Sequence, residues 1–193
     1  MTRVMWMLPP MALALVLAAC GPKEVSLGRV GGTPPSMVLN TRLLTPDGNS
    51  LGEVELLQMA DGVQFIARIT GLPAGTYAMH LHAVGQCKGP DFTSAGPHFN
   101  PEAKQHGRDN PMGAHAGDLP NIVVDGKMAG DVNIMLPGLR LADGANPLID
   151  ADGAAVVVHA KADDYRSDPA GNAGTRIACG ELKKSANGAT DGA

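Results

Sequence analysis

The sequence carries no long run of like charge and no grouping of Lys and Arg, and its 15 basic against 19 acidic residues give a formal net charge of −4. That shortage excludes a nucleic-acid partner, because neutralising phosphates takes clustered cations. Aromatic residues are few, at 3% of the chain. Apolar residues nevertheless reach 44% over 193 positions, enough for one globular core with chain to spare at the ends. No segment sustains a helical period, which removes the helical classes. Cysteine is scarce too, with only Cys20, Cys87 and Cys179.

The N-terminus reads as an export signal. Arg3 gives a weak positive start, the apolar run Met11-Ala12-Leu13-Ala14-Leu15-Val16 follows, and small residues lead up to Cys20. The run is too short for a permanent membrane span, and Pro9-Pro10 and Gly21-Pro22 disfavour a buried helix. Leu17-Ala18-Ala19-Cys20 resembles a bacterial lipobox, which implies cleavage of residues 1–19 and lipidation at Cys20, a firm hold on a membrane. Gly21 after Cys20 is compatible with outer-membrane sorting. Cleavage removes Arg3 alone among charged residues and leaves −5 on the mature chain. It also leaves Cys87 and Cys179 as a pair. These are candidates for one disulfide closing a long loop, the alternative being two buried thiols, which an oxidising compartment disfavours.

Residues 20–36, rich in Gly and Pro, read as the lipidated cysteine and a flexible tether. From Met37 onward, apolar runs alternate with the turn signals Pro46-Asp47-Gly48, Ala60-Asp61-Gly62, Val124-Asp125-Gly126 and Ala151-Asp152-Gly153, which read as hairpin punctuation. The runs predict strands over Val54–Gln58, Val63–Thr70, Ile122–Val124, Asp131–Met135 and Ala154–Ala160, an all-β domain over 37–182. Residues 183–193 read as a fraying tail. One stretch breaks the rhythm: Gly85 to Leu119 is loop-like and dense in Gly, Pro, Asn and His, a length that is usually functional or disordered.

All six histidines lie between Tyr77 and Lys161, five of them in or beside that loop. His80 and His82, two apart on an apparent strand, project from one face and can meet one metal ion. Taken alone, that pair reads more readily as ordinary strand residues. His98, His106, His115 and Asp118 add four ligands on a hinged loop, and three imidazoles with a carboxylate suit tetrahedral zinc. His159, at the end of Val156-Val157-Val158, joins His80 and His82 if its strand neighbours theirs, and all-imidazole coordination favours copper(II). Seven ligands complete two four-ligand sites only if one residue serves both, as a doubly deprotonated imidazole can.

His80-Leu81-His82, Ser94-Ala95-Gly96-Pro97-His98-Phe99-Asn100-Pro101, His106-Gly107, His115-Ala116-Gly117-Asp118-Leu119, Val157-Val158-His159-Ala160-Lys161-Ala162-Asp163-Asp164 and Gly171-Asn172-Ala173-Gly174-Thr175-Arg176-Ile177-Ala178-Cys179-Gly180 resemble, in order and combination, the copper/zinc superoxide dismutases. The resemblance implies an eight-stranded Greek-key β-barrel or sandwich, immunoglobulin-like, with a long metal-binding loop. It implies one copper and one zinc per subunit: copper on His80, His82, His98 and His159, zinc on His98, His106, His115 and Asp118, with His98 the bridge. It further implies a Cys87–Cys179 disulfide, Asp163 as a carboxylate joining one histidine of each metal, and Arg176 beside the open face of copper.

The implied activity is dismutation of superoxide to oxygen and hydrogen peroxide by alternate reduction and reoxidation of copper, with His98 releasing the metal and carrying a proton. Its partners are then superoxide and, through the N-terminal lipid, a membrane. A homodimer is compatible with the resemblance. The compartment implied is extracytoplasmic, a membrane-anchored protein of the periplasm. Tyr77-Ala78-Met79 stands where the family commonly has His-Gly-Phe. The segment Tyr165 to Ala170 lacks the Glu and Lys pattern of the eukaryotic guiding loop, which leaves Lys88, Lys104, Arg108, Lys161 and Arg166 as candidates for steering substrate. The main rival reading is a copper or zinc buffer on the same barrel.

Overall fold

A computed structural model describes residues 34–184, so the expected signal peptide, lipidated Cys20 and most of the tether and tail lie outside the described residues. Among the described residues there are nine strands: β1 Met37–Leu44, β2 Ser50–Met59, β3 Gly62–Thr70, β4 Gly75–Tyr77, β5 Met79–His82, β6 Ile122–Val124, β7 Ala129–Pro137, β8 Ala154–His159 and β9 Arg176–Leu182. Among the described residues the only helical piece is a 3₁₀ turn over Thr93–Ala95. Seven strands form an antiparallel sheet in the order β5-β8-β9-β1-β2-β3-β7, and β4 pairs with β6. The expected count was eight. The difference lies at Ala78, the single residue between β4 and β5: as one bent strand they pair with β6 at one end and β8 at the other, and eight strands result.

The turn signals divide by their surroundings. Ala60-Asp61 closes a tight hairpin, with Met59 opposite Gly62, and Pro46-Asp47-Gly48 turns β1 into β2. Val124-Asp125-Gly126 instead joins β6 to β7, which are laddered to β4 and β3 and not to each other. There the left-handed residue is Met128, not the glycine. β8 ends at His159, one residue short of expectation, where a register shift against β9 turns the chain out of the sheet.

Alternation along β5 and β8 positions the site. Met79 and Leu81 of β5 and Ala154, Val156 and Val158 of β8 point into the barrel and belong to the main apolar core, each large side chain contributing about 1.5–3 kcal/mol by burial. The intervening residues point outward: His80 lies opposite Val157 and His82 opposite Ala155. That outer face would be wet, but the long loop covers it. Phe92 and Ala95 from the loop pack with Ala155, Val157 and Cys179 as a second apolar cluster. A Cys87–Cys179 disulfide staples this loop to β9, a constraint typically worth about 2–4 kcal/mol.

Candidate metal centre

The open edge of β5 is where the loop docks. Leu81 donates to the Gly117 carbonyl (2.9 Å) and accepts from the Phe99 amide (2.8 Å), so His98 bridges to His82 and Asp118 to His80. Gly117 has to be glycine here, because a Cβ would run into the Leu81 carbonyl. The docking collects all six histidines at one place, each of them buried.

In four of them one ring nitrogen is tied and the other is not. His80 Nε2 is held by Asp163 Oδ2 (2.9 Å), His82 Nδ1 by the Gly96 carbonyl (2.8 Å), and His159 Nδ1 by the Gly174 carbonyl (3.2 Å). His98 Nδ1 lies 2.9 Å from Asp118 Oδ1. The nitrogens left over, His80 Nδ1, His82 Nε2, His98 Nε2 and His159 Nε2, are buried without a hydrogen-bond partner, and these four residues can bring ligand atoms within 4.8 Å of one another. Each such orphan costs about 1–3 kcal/mol, and four converging orphans are what a cation-binding site looks like before its ion is counted.

A second group gathers on Asp118. Its Oδ1 lies 2.9 Å from Nδ1 of His98 and of His106 and 3.2 Å from Nδ1 of His115, while its Oδ2 accepts the Gly107 and His115 amides, both at 2.9 Å. The four residues whose ligand atoms lie within 4.8 Å of one another here are His80, His98, His106 and Asp118. His115, expected among them, stands outside that set and joins through its Nδ1, 3.2 Å from Asp118 Oδ1 and 3.4 Å from His98 Nδ1, while Asp163 occupies His80 Nε2 and leaves only its Nδ1. Asp163, fully buried, ties the groups together through His80 Nε2 and His106 Nε2, each at 2.9 Å. His98 thus turns one nitrogen to each group.

Without metal the cluster polarises itself. Burial drives His82 down to about 2, His159 to about 3 and His98 to about 4, reinforced by neighbouring imidazoles and, for His82 and His159, by Arg176. Burial opposes charge on His106 as well, but hydrogen bonds to Asp118 and Asp163 overcome it and raise the group to about 9. Both carboxyls sit well below the usual range; burial works against this, and their histidine partners outweigh it. The unfolded chain therefore takes up protons below pH 6.5 that His98, His159 and His82 refuse in the fold, so stability drops as pH falls from about 6.5 toward 4. His106 contributes the opposite way, with a gain fully present below 6.5 and lost as pH rises through about 9. The melting temperature of the metal-free domain is expected to peak near neutrality and to fall by about 5 °C or more between pH 6.5 and 4.5. A flat profile over that range would contradict this picture.

Arg176, opposite His159 in the β8–β9 ladder, is half-buried and donates to the carbonyls of Phe92 (2.7 Å) and Gly96 (2.8 Å). With His98 and His159 it lines a cleft of about 860 Å³. Of the five candidate steering residues only Lys104 lines that cleft, and Glu102 pairs with it at 2.6 Å. Arg108 instead stacks on the Tyr165 ring at 3.8 Å. A reading of side chains misses the carbonyls of Gly96, Gly174 and Phe92, since backbone groups carry no signature. It also misses Asn121, whose amide brackets the backbone N–H and C=O of Asp163 at 2.8 and 3.0 Å.

The family model described as copper/zinc superoxide dismutase matches residues 50–182. The chain belongs to the copper/zinc superoxide dismutase family. Among the curated members, a copper/zinc superoxide dismutase of Aquifex aeolicus is 44% identical over 146 residues, 75% of this chain and 85% of the relative. The superoxide dismutase-like protein YojM of Bacillus subtilis is 39% identical over 184 residues, 89% of this chain and 92% of the relative. A solved SOD-like protein from Bacillus subtilis has a TM-score of 0.71 at 39% identity, covering 74% of this chain and 97% of that one. As a copper/zinc superoxide dismutase the protein is an oxidoreductase that uses copper and zinc. Its donor chemistry fits both metals: four imidazole nitrogens suit copper(II), and three imidazoles with a carboxylate suit zinc. The disulfide accords with an extracytoplasmic dismutase.

Proposed function

We propose that this protein dismutes superoxide to oxygen and hydrogen peroxide, holding copper on His80, His82, His98 and His159 and zinc on His98, His106, His115 and Asp118. The observation that carries the reading is the four partnerless buried nitrogens, one on each of the first four residues. When bound, copper supplies a one-electron couple that takes an electron from one superoxide and returns it to a second, while zinc, which has no redox chemistry, supplies fixed charge.

The protein's own groups do the rest. Arg176, fixed by two carbonyls, keeps N–H groups free to receive an anion from the cleft. When it is free of copper, His98 Nε2 would hold one of the two protons that the peroxide product takes, the second coming from water in the cleft, while its Nδ1 stays turned toward Asp118. Asp163 orients His80 and His106 as a pair. A mature charge of −5 opposes an anionic substrate, so the local field of Arg176 sets the approach. We assign the protein to the periplasm as a lipoprotein anchored through Cys20, supported by Leu17-Ala18-Ala19-Cys20; outer-membrane attachment and a homodimer belong to the same proposal.

The test is superoxide decay by pulse radiolysis with the purified domain, metal-free and then loaded with copper and zinc. Loading is expected to produce catalysed decay, and its absence would leave a metal buffer. The full chain is expected in the membrane fraction and its Cys20→Ser variant in the soluble one; a membrane-bound variant would remove the lipid anchor from the assignment.

A further inference from the structure

Asp168 sits in the short turn after Asp164, within the Tyr165 to Ala170 segment that lacks the guiding-loop pattern. Its Oδ1 accepts a hydrogen bond from the backbone amide of His106 at 2.6 Å. The same oxygen stands 3.9 Å from His115 Nε2, the nitrogen of that ring turned away from Asp118. One carboxylate therefore touches the main chain of one member of the second group and faces the outer edge of another. The arrangement parallels Asp163, which holds the outer nitrogen of His106 itself. The turn is built to present it: Asp164 gathers the amides of Arg166 and Ser167 and the side chains of Ser167 and Asn172, and Gly171 donates to the Ser167 carbonyl at 2.6 Å.

The position has an electrostatic cost. Asp168 is half exposed, at 48%, and is the only carboxylate among the residues lining the cleft that Arg176 shares. A negative charge there repels an anion on its way in. The geometry points to a division between the two properties of this side chain: we propose that Asp168 is a positioning residue for the second ligand group, serving it through the hydrogen bond to His106, while its charge slows the substrate. An acceptor is needed at this place, and a charge is not. The inference rests on the zinc assignment proposed above.

Two substitutions separate the properties. Asp168→Asn keeps an oxygen acceptor for the His106 amide and removes the charge; Asp168→Ala removes both. Zinc retention is measured by competition with a chromophoric chelator, with circular dichroism on the same samples to report folding. Asp168→Ala is expected to bind zinc roughly tenfold more weakly, and Asp168→Asn within about threefold of the unaltered protein. At low ionic strength the loaded Asp168→Asn protein is expected to react about twofold faster with superoxide, a gain that disappears at high salt.

If Asp168→Ala holds zinc as tightly as the unaltered protein, or Asp168→Asn loses it as badly as alanine does, the positioning role is wrong. If alanine fails to fold, the asparagine variant still decides, since retained zinc with a faster rate supports the proposal and a slower rate overturns it. An unaltered protein that binds no zinc would instead remove the zinc assignment itself, a different failure.

Discussion

Arg176→Ala is expected to lower the rate constant for superoxide decay by about tenfold to a hundredfold in the fully loaded protein, with neither metal lost. The guanidinium is the fixed cation of the cleft. It stays charged although burial draws it below its usual value. Its removal is well tolerated structurally because the carbonyls it holds keep other donors: Phe92 still accepts from the Ala95 amide at 3.1 Å, and Gly96 from His82 Nδ1. The variant thus isolates charge and hydrogen bonding from folding. Lysine at this position restores a charge without the planar fork, so Arg176→Lys should recover part of the rate and most of the salt dependence. Stopped-flow or pulse-radiolysis decay at two ionic strengths, with metal content measured on the same samples, checks both. An alanine variant as fast as the unaltered protein would mean that the cleft admits its anion by some other route.

The second large effect is expected from a residue with no functional group. Gly171 adopts φ +63, and a Cβ there would overlap Asp163 Oδ1 and come 2.7 Å from His106 Nε2. Both obstacles belong to the link between the two ligand groups, and Asp163 is bracketed by Asn121 on its own backbone, so it has little room to yield. Gly171→Ala is therefore expected to displace Asp163 and free His80 Nε2 and His106 Nε2 together. Copper and zinc affinities should each fall roughly tenfold to a hundredfold. The left-handed backbone adds about 1–2 kcal/mol of strain for any residue with a Cβ. Chelator competition for both metals, with the copper electron paramagnetic resonance spectrum, measures the outcome. A variant that keeps both affinities would show that Asp163 can shift without cost.

The histidine set is legible in the sequence because ligand chemistry restricts residue type: few arrangements other than a metal centre put five imidazoles in or beside one loop and a sixth at the end of a later apolar strand. β2, β3, β7 and β8 are legible through their apolar runs and Asp-Gly turns. β1 is less so, since its run Met37–Leu44 mixes Asn40, Thr41 and Arg42 into the strand and only Leu39 and Leu43 are buried. β4, three residues long, exists by pairing with β6 and has no local signal of its own. Asp168 and Gly171 lie further out of reach. What matters about them is the distance to atoms 62 and 8 positions away, at His106 and Asp163, and no single sequence encodes that distance.

The Gly96 carbonyl receives both His82 Nδ1 and an Arg176 nitrogen, each at 2.8 Å. A single oxygen atom thereby serves as common reference for an imidazole in the first ligand group and for the cation of the cleft. Variation in the Ser94–Pro97 loop cannot adjust one without moving the other. Selection, or an engineer, seeking tighter anion capture at this centre inherits a change at the His82 ring with it, so the two properties should drift together across variants of this loop.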